Sequence, residues 1–148
     1  MADAVYLGNP NLKKTNTAIN FTKKQVAEFI KCKDDPVYFT RNYIIIVSLD
    51  EGLVPFKMWD FQEKLIENFH KERFNIAKLP RQTGKSTTVV SYLLHYALFN
   101  DNVKIAILAN KAETARELLS RLQLAYENIP KWMQMGICLL YTSDAADE

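Results

Sequence analysis

The chain has 148 residues, of which 48% are hydrophobic and 24% are charged, and its formal net charge is +2. This composition excludes a wholly disordered chain, and no apolar run approaches the ~20 residues that a membrane-spanning helix needs. The amino terminus lacks the apolar stretch of a secretory signal. The two cysteines, Cys32 and Cys138, favour a reducing compartment. The small net charge neither requires nor excludes a nucleic-acid partner.

The first half of the chain predicts short helices around one strand. Thr22 and Gln25 have the spacing of a capping box, which starts a helix, and Pro36 limits the end of that helix. A run of β-branched and aromatic residues then favours a buried strand. The predicted elements are a flexible arm at residues 1–20, helices over about Thr22–Lys33 and Pro36–Tyr43, a strand over Tyr43–Val47, a turn at Asp50-Glu51-Gly52 and an amphipathic helix over Asp60–Glu72.

The second half of the chain alternates strands and helices. The helix predicted over Thr87–Asn100 is apolar on nearly all sides, which is typical of a buried helix packed on a sheet. The order strand, loop, helix, strand, helix favours an α/β fold with a parallel sheet and right-handed crossovers. The predicted elements are a strand over Phe74–Leu79, a loop over Pro80–Ser86, a helix over Thr87–Asn100, a strand over Val103–Leu108 and a helix over Ala112–Asn128.

The segment FNIAKLPRQTGKST, residues 74–87, is the motif that carries chemistry. A strand, a loop that ends in Gly-Lys-Ser-Thr and a helix form the context of a phosphate-binding loop. Gly84 allows the backbone to approach a phosphate, and the Lys85 ammonium would lie against the β- and γ-phosphates. The Ser86 hydroxyl would enter the Mg²⁺ shell, and Thr87 would bond a phosphate oxygen or a loop amide. These residues predict an ATP and Mg²⁺ site.

The loop departs from the usual pattern, in which a glycine precedes the Gly-Lys pair by five residues. That first glycine is replaced by Leu79. The alternative is a plain turn between strand and helix, with Lys85 in solvent. The polar group Arg81-Gln82-Thr83 between apolar elements favours the phosphate loop.

Other polar and aromatic residues give weaker signals. Gln62 could match the adenine edge with its amide or be a surface helix residue. Trp59 and Phe61 are expected to pack rather than to stack on a base. We interpret His70 and His95 as ordinary helix residues and not as metal ligands, since neither has a partner at ligand spacing. The basic residues of the second half are read as a solvated face.

The last eleven residues, CLLYTSDAADE, resemble the in-frame translation of a sequencing adapter. We therefore expect residues 138–148 to be a non-native tail, and the natural protein to continue past Ile137. A natural acidic carboxyl terminus is the alternative.

Three segments together resemble the large terminase subunit of myovirus-type tailed phages. They are the leader from FTKKQVAEFIKC to MWDFQEKLI, the loop LPRQTGKST, and KIAILANKAETARELLSRLQLAYENIPKWMQMGI. The resemblance covers residues 21–137. It includes the missing first glycine and the arginine in the loop, which are both typical of that family.

The resemblance implies an additional-strand, RecA-like P-loop NTPase domain, incomplete here, with a helical lead-in. The parent would be an ATPase that moves double-stranded DNA into a procapsid and cuts it with a C-terminal nuclease domain. Its partners would be double-stranded DNA, the portal protein and the small terminase subunit. Several copies would form a ring on the portal. The protein would act in the host cytoplasm and would not bind a membrane. Gln62 resembles the glutamine that contacts adenine in that family. Arg81 resembles the loop arginine that senses or stabilises the γ-phosphate there. The phosphate-loop residues carried over are Gln82, Thr83, Gly84, Lys85, Ser86 and Thr87, with Arg81 and Lys85 as the catalytic pair.

The acidic strand that follows in that family has no counterpart before the chain ends, and neither have the nuclease carboxylates. We therefore expect this fragment alone to be poorly stable and inactive. The rival functions are a superfamily 2 helicase or restriction-type translocase, a non-catalytic adaptor that keeps a nucleotide fold, and a small-molecule kinase. A second RecA-like lobe would favour the helicase. DNA packaging that persists when Lys85 is replaced by alanine would favour the adaptor. An ATPase rate that does not rise with DNA would favour the kinase.

Overall fold

The computed structural model describes residues 5–6, 9–13, 19–48 and 50–134. The predicted adapter-derived tail, residues 138–148, lies outside this range, as does most of the predicted arm. The elements in chain order are β1 (Val5–Tyr6), β2 (Asn9–Lys13), α1 (Lys23–Asp34), α2 (Pro36–Tyr43), β3 (Ile45–Ser48), β4 (Gly52–Pro55), α3 (Asp60–Lys71), α4 (Lys85–Phe99) and α5 (Ala112–Asn128). In these ranges, no helix is both long and apolar enough to cross a bilayer.

The predicted helices are confirmed to within two residues at each end. The capping box begins α1, because the Gln25 amide donates to Thr22 Oγ1 and the Thr22 amide donates to Gln25 Oε1. Asp35 begins α2, since its carboxylate accepts from the Tyr38 amide at 2.8 Å, and Pro36 follows in the first turn. These boundaries depend on local hydrogen bonds that the sequence encodes directly.

Helix α4 lies at the centre of the core and packs against α2, α3 and α5. Its burial confirms the prediction from its apolar sequence. Its neighbours are helices, whereas the sequence predicts a sheet. The core side chains of α4 are Val90, Leu94, Leu98 and Phe99.

The first predicted strand is part of an antiparallel hairpin of β3 and β4, in which Ile46 is opposite Val54 and Val47 is opposite Leu53. The prediction that this strand is buried is confirmed at Ile44, which is 2% exposed, and is wrong at Val47. Val47 and Leu53 both have more than half of their surface exposed. A two-stranded sheet covers the core with one face only, so its other face meets solvent.

The two segments predicted as parallel strands, residues 74–79 and 103–108, have no strand structure here. Phe74 is 83% exposed and Leu108 is 88% exposed. A strand needs a neighbour for its amide and carbonyl groups, and neither segment has one in the described part of the chain. The parallel sheet therefore stays a prediction.

Part of the predicted flexible arm is held against the carboxyl-terminal side of the fold. β1 pairs with β2, and the Lys13 amide of β2 donates to Gln134 Oε1 at 2.9 Å. Gln134 Nε2 donates in turn to the Asn11 carbonyl at 2.8 Å, and Asn9 donates to Glu127. Residues 9–13 of the predicted arm thus form a strand that hydrogen-bonds to Gln134, and the flexibility of the arm stays a prediction. Contacts more than a hundred residues apart in sequence leave no local signal.

Candidate functional site

The loop over Pro80–Gly84 turns sharply into α4. Gln82 has a φ of 62° and Gly84 a φ of 69°, so the backbone is left-handed at both residues. The Pro80 carbonyl accepts from Thr83 Oγ1 and from Lys85 Nζ, each at 3.1 Å. The loop is therefore closed on itself through one carbonyl oxygen.

The amino terminus of α4 has no side-chain cap. Its N-cap residue is Gly84, and the first helical hydrogen bond runs from the Thr88 amide to the Gly84 carbonyl at 3.0 Å. The amides of Lys85, Ser86 and Thr87 precede this bond and have no helical acceptor. Unsatisfied amides and the helix dipole together favour an anion at this position.

The predicted phosphate-loop residues lie around this helix end. α4 begins at Lys85, two residues before the predicted start, so Lys85, Ser86 and Thr87 all belong to its first turn and are half-buried. Arg81 and Gln82 are exposed in the loop. The Lys85 ammonium has the neutral Pro80 carbonyl as its partner, which leaves its charge without a counter-charge in that contact.

Thr88 is a structural residue of the site that the sequence reasoning missed. It is fully buried, and its Oγ1 donates to the Gly84 carbonyl at 3.1 Å, beside the helical bond from its own amide. This pair of bonds fixes the Gly84 carbonyl. A threonine four residues after the loop glycine was the available signal, because such hydroxyls often bond the carbonyl one turn back.

Gln62 of α3 lies against the same loop. It is only 3% exposed; its Oε1 accepts from the Trp59 amide at 2.9 Å and its Nε2 donates to the Thr83 carbonyl at 3.2 Å. A Cβ atom added at Gly84 would lie 2.7 Å from Gln62 Nε2. The structure therefore brings Gln62 and the loop together across 21 residues of sequence, and its amide contacts backbone on both sides.

The aromatic residues that flank Gln62 differ from the prediction. Trp59 is 71% exposed and Phe61 is 40% exposed, so the expected packing role is wrong for Trp59. The backbone of Trp59, and not its ring, stabilises the start of α3. Its amide donates to Gln62 Oε1, and its carbonyl accepts from the amides of Gln62 and Glu63. Exposure at the first turn of α3 leaves the indole ring in solvent.

The two histidines lie at a cavity of about 290 Å³ formed by the ends of α1, α3 and α4. His95 is buried, and its Nε2 lies 2.9 Å from the Cys32 carbonyl. Burial lowers the pKa of His95 to about 4 and raises the pKa of the Cys32 thiol to about 12. The described residues contain no cluster of three metal-ligating side chains. With its pKa lowered by burial, His95 is neutral near pH 7 and packs in the core.

The sequence matches no protein-family model. An uncapped helix start, a left-handed glycine and a lysine folded over the loop can together hold a polyanion such as a triphosphate.

Proposed function

We propose that this chain is the ATP-binding part of a viral DNA-packaging motor of the large-terminase type. The observation that carries the proposal is the uncapped start of α4 beside the Lys85 ammonium, whose partner is the neutral Pro80 carbonyl. A triphosphate would replace this neutral partner with charged oxygens. A phosphate oxygen carries the opposite charge to the ammonium, whereas the carbonyl oxygen carries no net charge, so Coulomb attraction favours the exchange.

Each residue of the loop has a role in the proposal. The amides from Gln82 to Thr87 cradle the phosphates, and the Gly84 conformation lets the backbone come close to them. Lys85 and the exposed Arg81 neutralise charge that develops on the γ-phosphate during hydrolysis. The Ser86 hydroxyl, in the first turn of α4, would hold Mg²⁺, and the ion would supply positive charge to the triphosphate.

The proposed fold of the parent is a parallel sheet of the RecA-like type. The apolar segments 74–79 and 103–108, which precede and follow α4, support it because they expose Phe74 and Leu108 to solvent. Burying such side chains in a sheet would gain roughly 1.5–3 kcal/mol each. An acidic strand between them would supply the missing hydrogen-bond partners. Hydrolysis is proposed for the parent and not for this chain alone.

The larger setting of the proposal follows from the resemblance in sequence. The parent would act in the host cytoplasm, in a ring on the portal protein with the small terminase subunit, and would move double-stranded DNA. A C-terminal nuclease domain would cut the DNA. None of these partners is needed for nucleotide to bind the loop, so the binding step can be tested with this chain.

Nuclear magnetic resonance is the suited measurement, because it detects the weak binding expected of this chain. We expect millimolar Mg-ATP to shift the amide resonances of Gly84, Lys85 and Ser86. The variant Lys85→Ala should lose these shifts. The control Lys64→Ala removes the same charge from an exposed position of α3 and should keep them. If Lys85→Ala and the native chain respond alike, the proposed phosphate site is wrong.

A further inference from the structure

The outward half of α1 combines apolar and basic side chains. Val26 and Ile30 are one helical turn apart and are 45% and 53% exposed. On a helix with about 3.6 residues per turn, exposed lysines lie at both edges of this half and at its start. These lysines are Lys23, Lys24, Lys31 and Lys33. We call Val26, Ile30 and the four lysines the α1 face.

The positive charge of the α1 face is poorly balanced within the described residues. Glu28 turns toward α2, where its Oε1 accepts from the hydroxyls of Tyr38 and Tyr43 at 2.8 and 2.9 Å. The other acid of α1, Asp34, is the last residue of the helix and offsets one lysine charge. Lys31 Nζ lies 3.8 Å from the centre of the Tyr38 ring, which is a neutral partner. No lysine of the α1 face forms an ion pair with another described residue.

The stability of the helix does not explain these positions. The helix dipole favours acids in the first turn and cations in the last. Lys23 and Lys24 nevertheless occupy the first turn, which contains no acid. Ile30 keeps about half of its surface in water and so gains little from its place in this chain. A surface that is both acidic and apolar would complement the lysines and the isoleucine together.

We propose that the α1 face is a docking surface for an acidic amphipathic helix of a partner protein. The carboxylates of such a helix would lie beside the lysines, and its apolar stripe would cover Val26 and Ile30. Double-stranded DNA is also an anion, but its phosphate backbone offers no apolar stripe for these two side chains. The inference goes beyond the proposed function, because the α1 face takes no part in binding nucleotide there.

The probe is a synthetic helical peptide, with leucines along one stripe and glutamates on both sides of it. Two matched peptides carry serine for each leucine or glutamine for each glutamate. Binding to the full chain is followed by amide shifts in nuclear magnetic resonance at low ionic strength, where screening is weakest. We expect the acidic peptide to shift the amides of residues 23–33 and to bind more tightly than either matched peptide. If either matched peptide binds equally well, the inference is overturned.

The variant Ile30→Ser tests the apolar part of the interface. It should weaken binding of the acidic peptide about four- to tenfold, because roughly half of an isoleucine side chain is no longer there to be buried. Leu53→Ser is the matched control and should leave the affinity unchanged, since Leu53 of β4 is 55% exposed. If both variants weaken binding alike, the peptide binds exposed apolar residues without preference, which contradicts the proposal.

The double variant Lys23→Glu with Lys24→Glu tests the charged part. Acids in the first turn agree with the helix dipole, so α1 should keep its structure. We expect binding to weaken at least about fivefold, because two attractive contacts become repulsive. Lys57→Glu with Lys64→Glu changes the net charge equally at exposed positions outside α1 and should have little effect. Equal losses in the two double variants would mean that only the net charge matters, and the α1 face would not be the site.

A short DNA duplex is titrated in parallel. If it shifts the amides of residues 23–33, and if Ile30→Ser binds it like the native chain while the Lys23→Glu, Lys24→Glu variant does not, the α1 face is a DNA surface and the proposal fails. Thermal unfolding checks each variant. Should Ile30→Ser unfold the chain, Val26→Ser provides the same comparison at the neighbouring exposed position.

Discussion

His95 Nε2 lies 2.9 Å from the Cys32 carbonyl oxygen and so joins α4 to α1 inside the core. A carbonyl oxygen can only accept, so Nε2 carries the proton of the neutral ring. The other ring nitrogen, Nδ1, is buried and has no hydrogen-bond partner among the described residues. Protonation of His95 would place a charge in the core and a proton on Nδ1, which has no acceptor among the described residues. Burial therefore lowers the pKa of His95 to about 4.

Stability should fall as the pH is lowered from about 6.5 to about 4. In this window the unfolded chain binds a proton at His95 and the folded chain does not, so acid favours the unfolded state. The loss from pH 7 to pH 4.5 should be about 2–3 kcal/mol, from the size of the pKa shift. Urea unfolding at these two pH values measures it.

The variant His95→Gln tests the assignment of this pH dependence. It keeps a donor for the Cys32 carbonyl and does not titrate, so its stability should change less between pH 7 and pH 4.5. Hydrogen bonds from Tyr38 and Tyr43 lower the pKa of Glu28. Glu28 therefore also lowers the stability of the chain in acid, but only below pH 4.5, its ordinary pKa. If His95→Gln has the same pH dependence as the native chain, the assignment is wrong.

Replacing Gly84 by alanine should destabilise the chain more than replacing Gly52. Both glycines have a positive φ, 69° and 75°, but a Cβ at Gly52 meets nothing within 4 Å. Gly52→Ala should therefore cost only the backbone strain, about 1–2 kcal/mol. Gly84→Ala also forces Gln62 Nε2, which would lie 2.7 Å from the new Cβ, away from its hydrogen bond with the Thr83 carbonyl, and should cost about 1 kcal/mol more. Thermal or urea unfolding compares the two.

A double variant isolates the clash. In a Gln62→Ala background the alanine at position 84 meets no amide, so the extra cost of Gly84→Ala should disappear while the strain remains. Equal costs of Gly84→Ala in both backgrounds would contradict the contact between Gln62 and the loop.

Gln134→Leu should destabilise the chain by about 2–3 kcal/mol, because it removes several buried hydrogen bonds at once. Gln134 is fully buried; its Oε1 accepts from the Lys13 amide, and its Nε2 lies within hydrogen-bonding distance of the carbonyls of Asn11, Tyr126 and Ile129. Leucine at the exposed position Gln123 is the control and should change stability by less than about 0.5 kcal/mol. Urea unfolding measures both. Similar costs at the two positions would show that Gln134 does not hold residues 9–13.

The helices could be predicted because their signals are local. Thr22 with Gln25 and Asp35 with Pro36 lie within a few residues of the backbone groups that they satisfy. Residues 74–87 predict in the same way a turn before an apolar helix, which the structure confirms at Pro80–Gly84 and α4. That this turn binds phosphate stays a prediction. The burial predicted for Tyr43–Val47 is wrong at Val47, because burial depends on what packs on each face of the strand.

The sequence by itself determined the helix boundaries, the glycine at the loop and the charge of Lys85, since these depend on residues near one another in the chain. Only the tertiary structure decided that Gln62 turns its amide to the Thr83 carbonyl, that Trp59 faces solvent and that Gln134 holds β2. The physical reason is that a side chain's hydrogen-bond partners and burial depend on distant segments folding next to it. Composition and spacing carry no information about that arrangement.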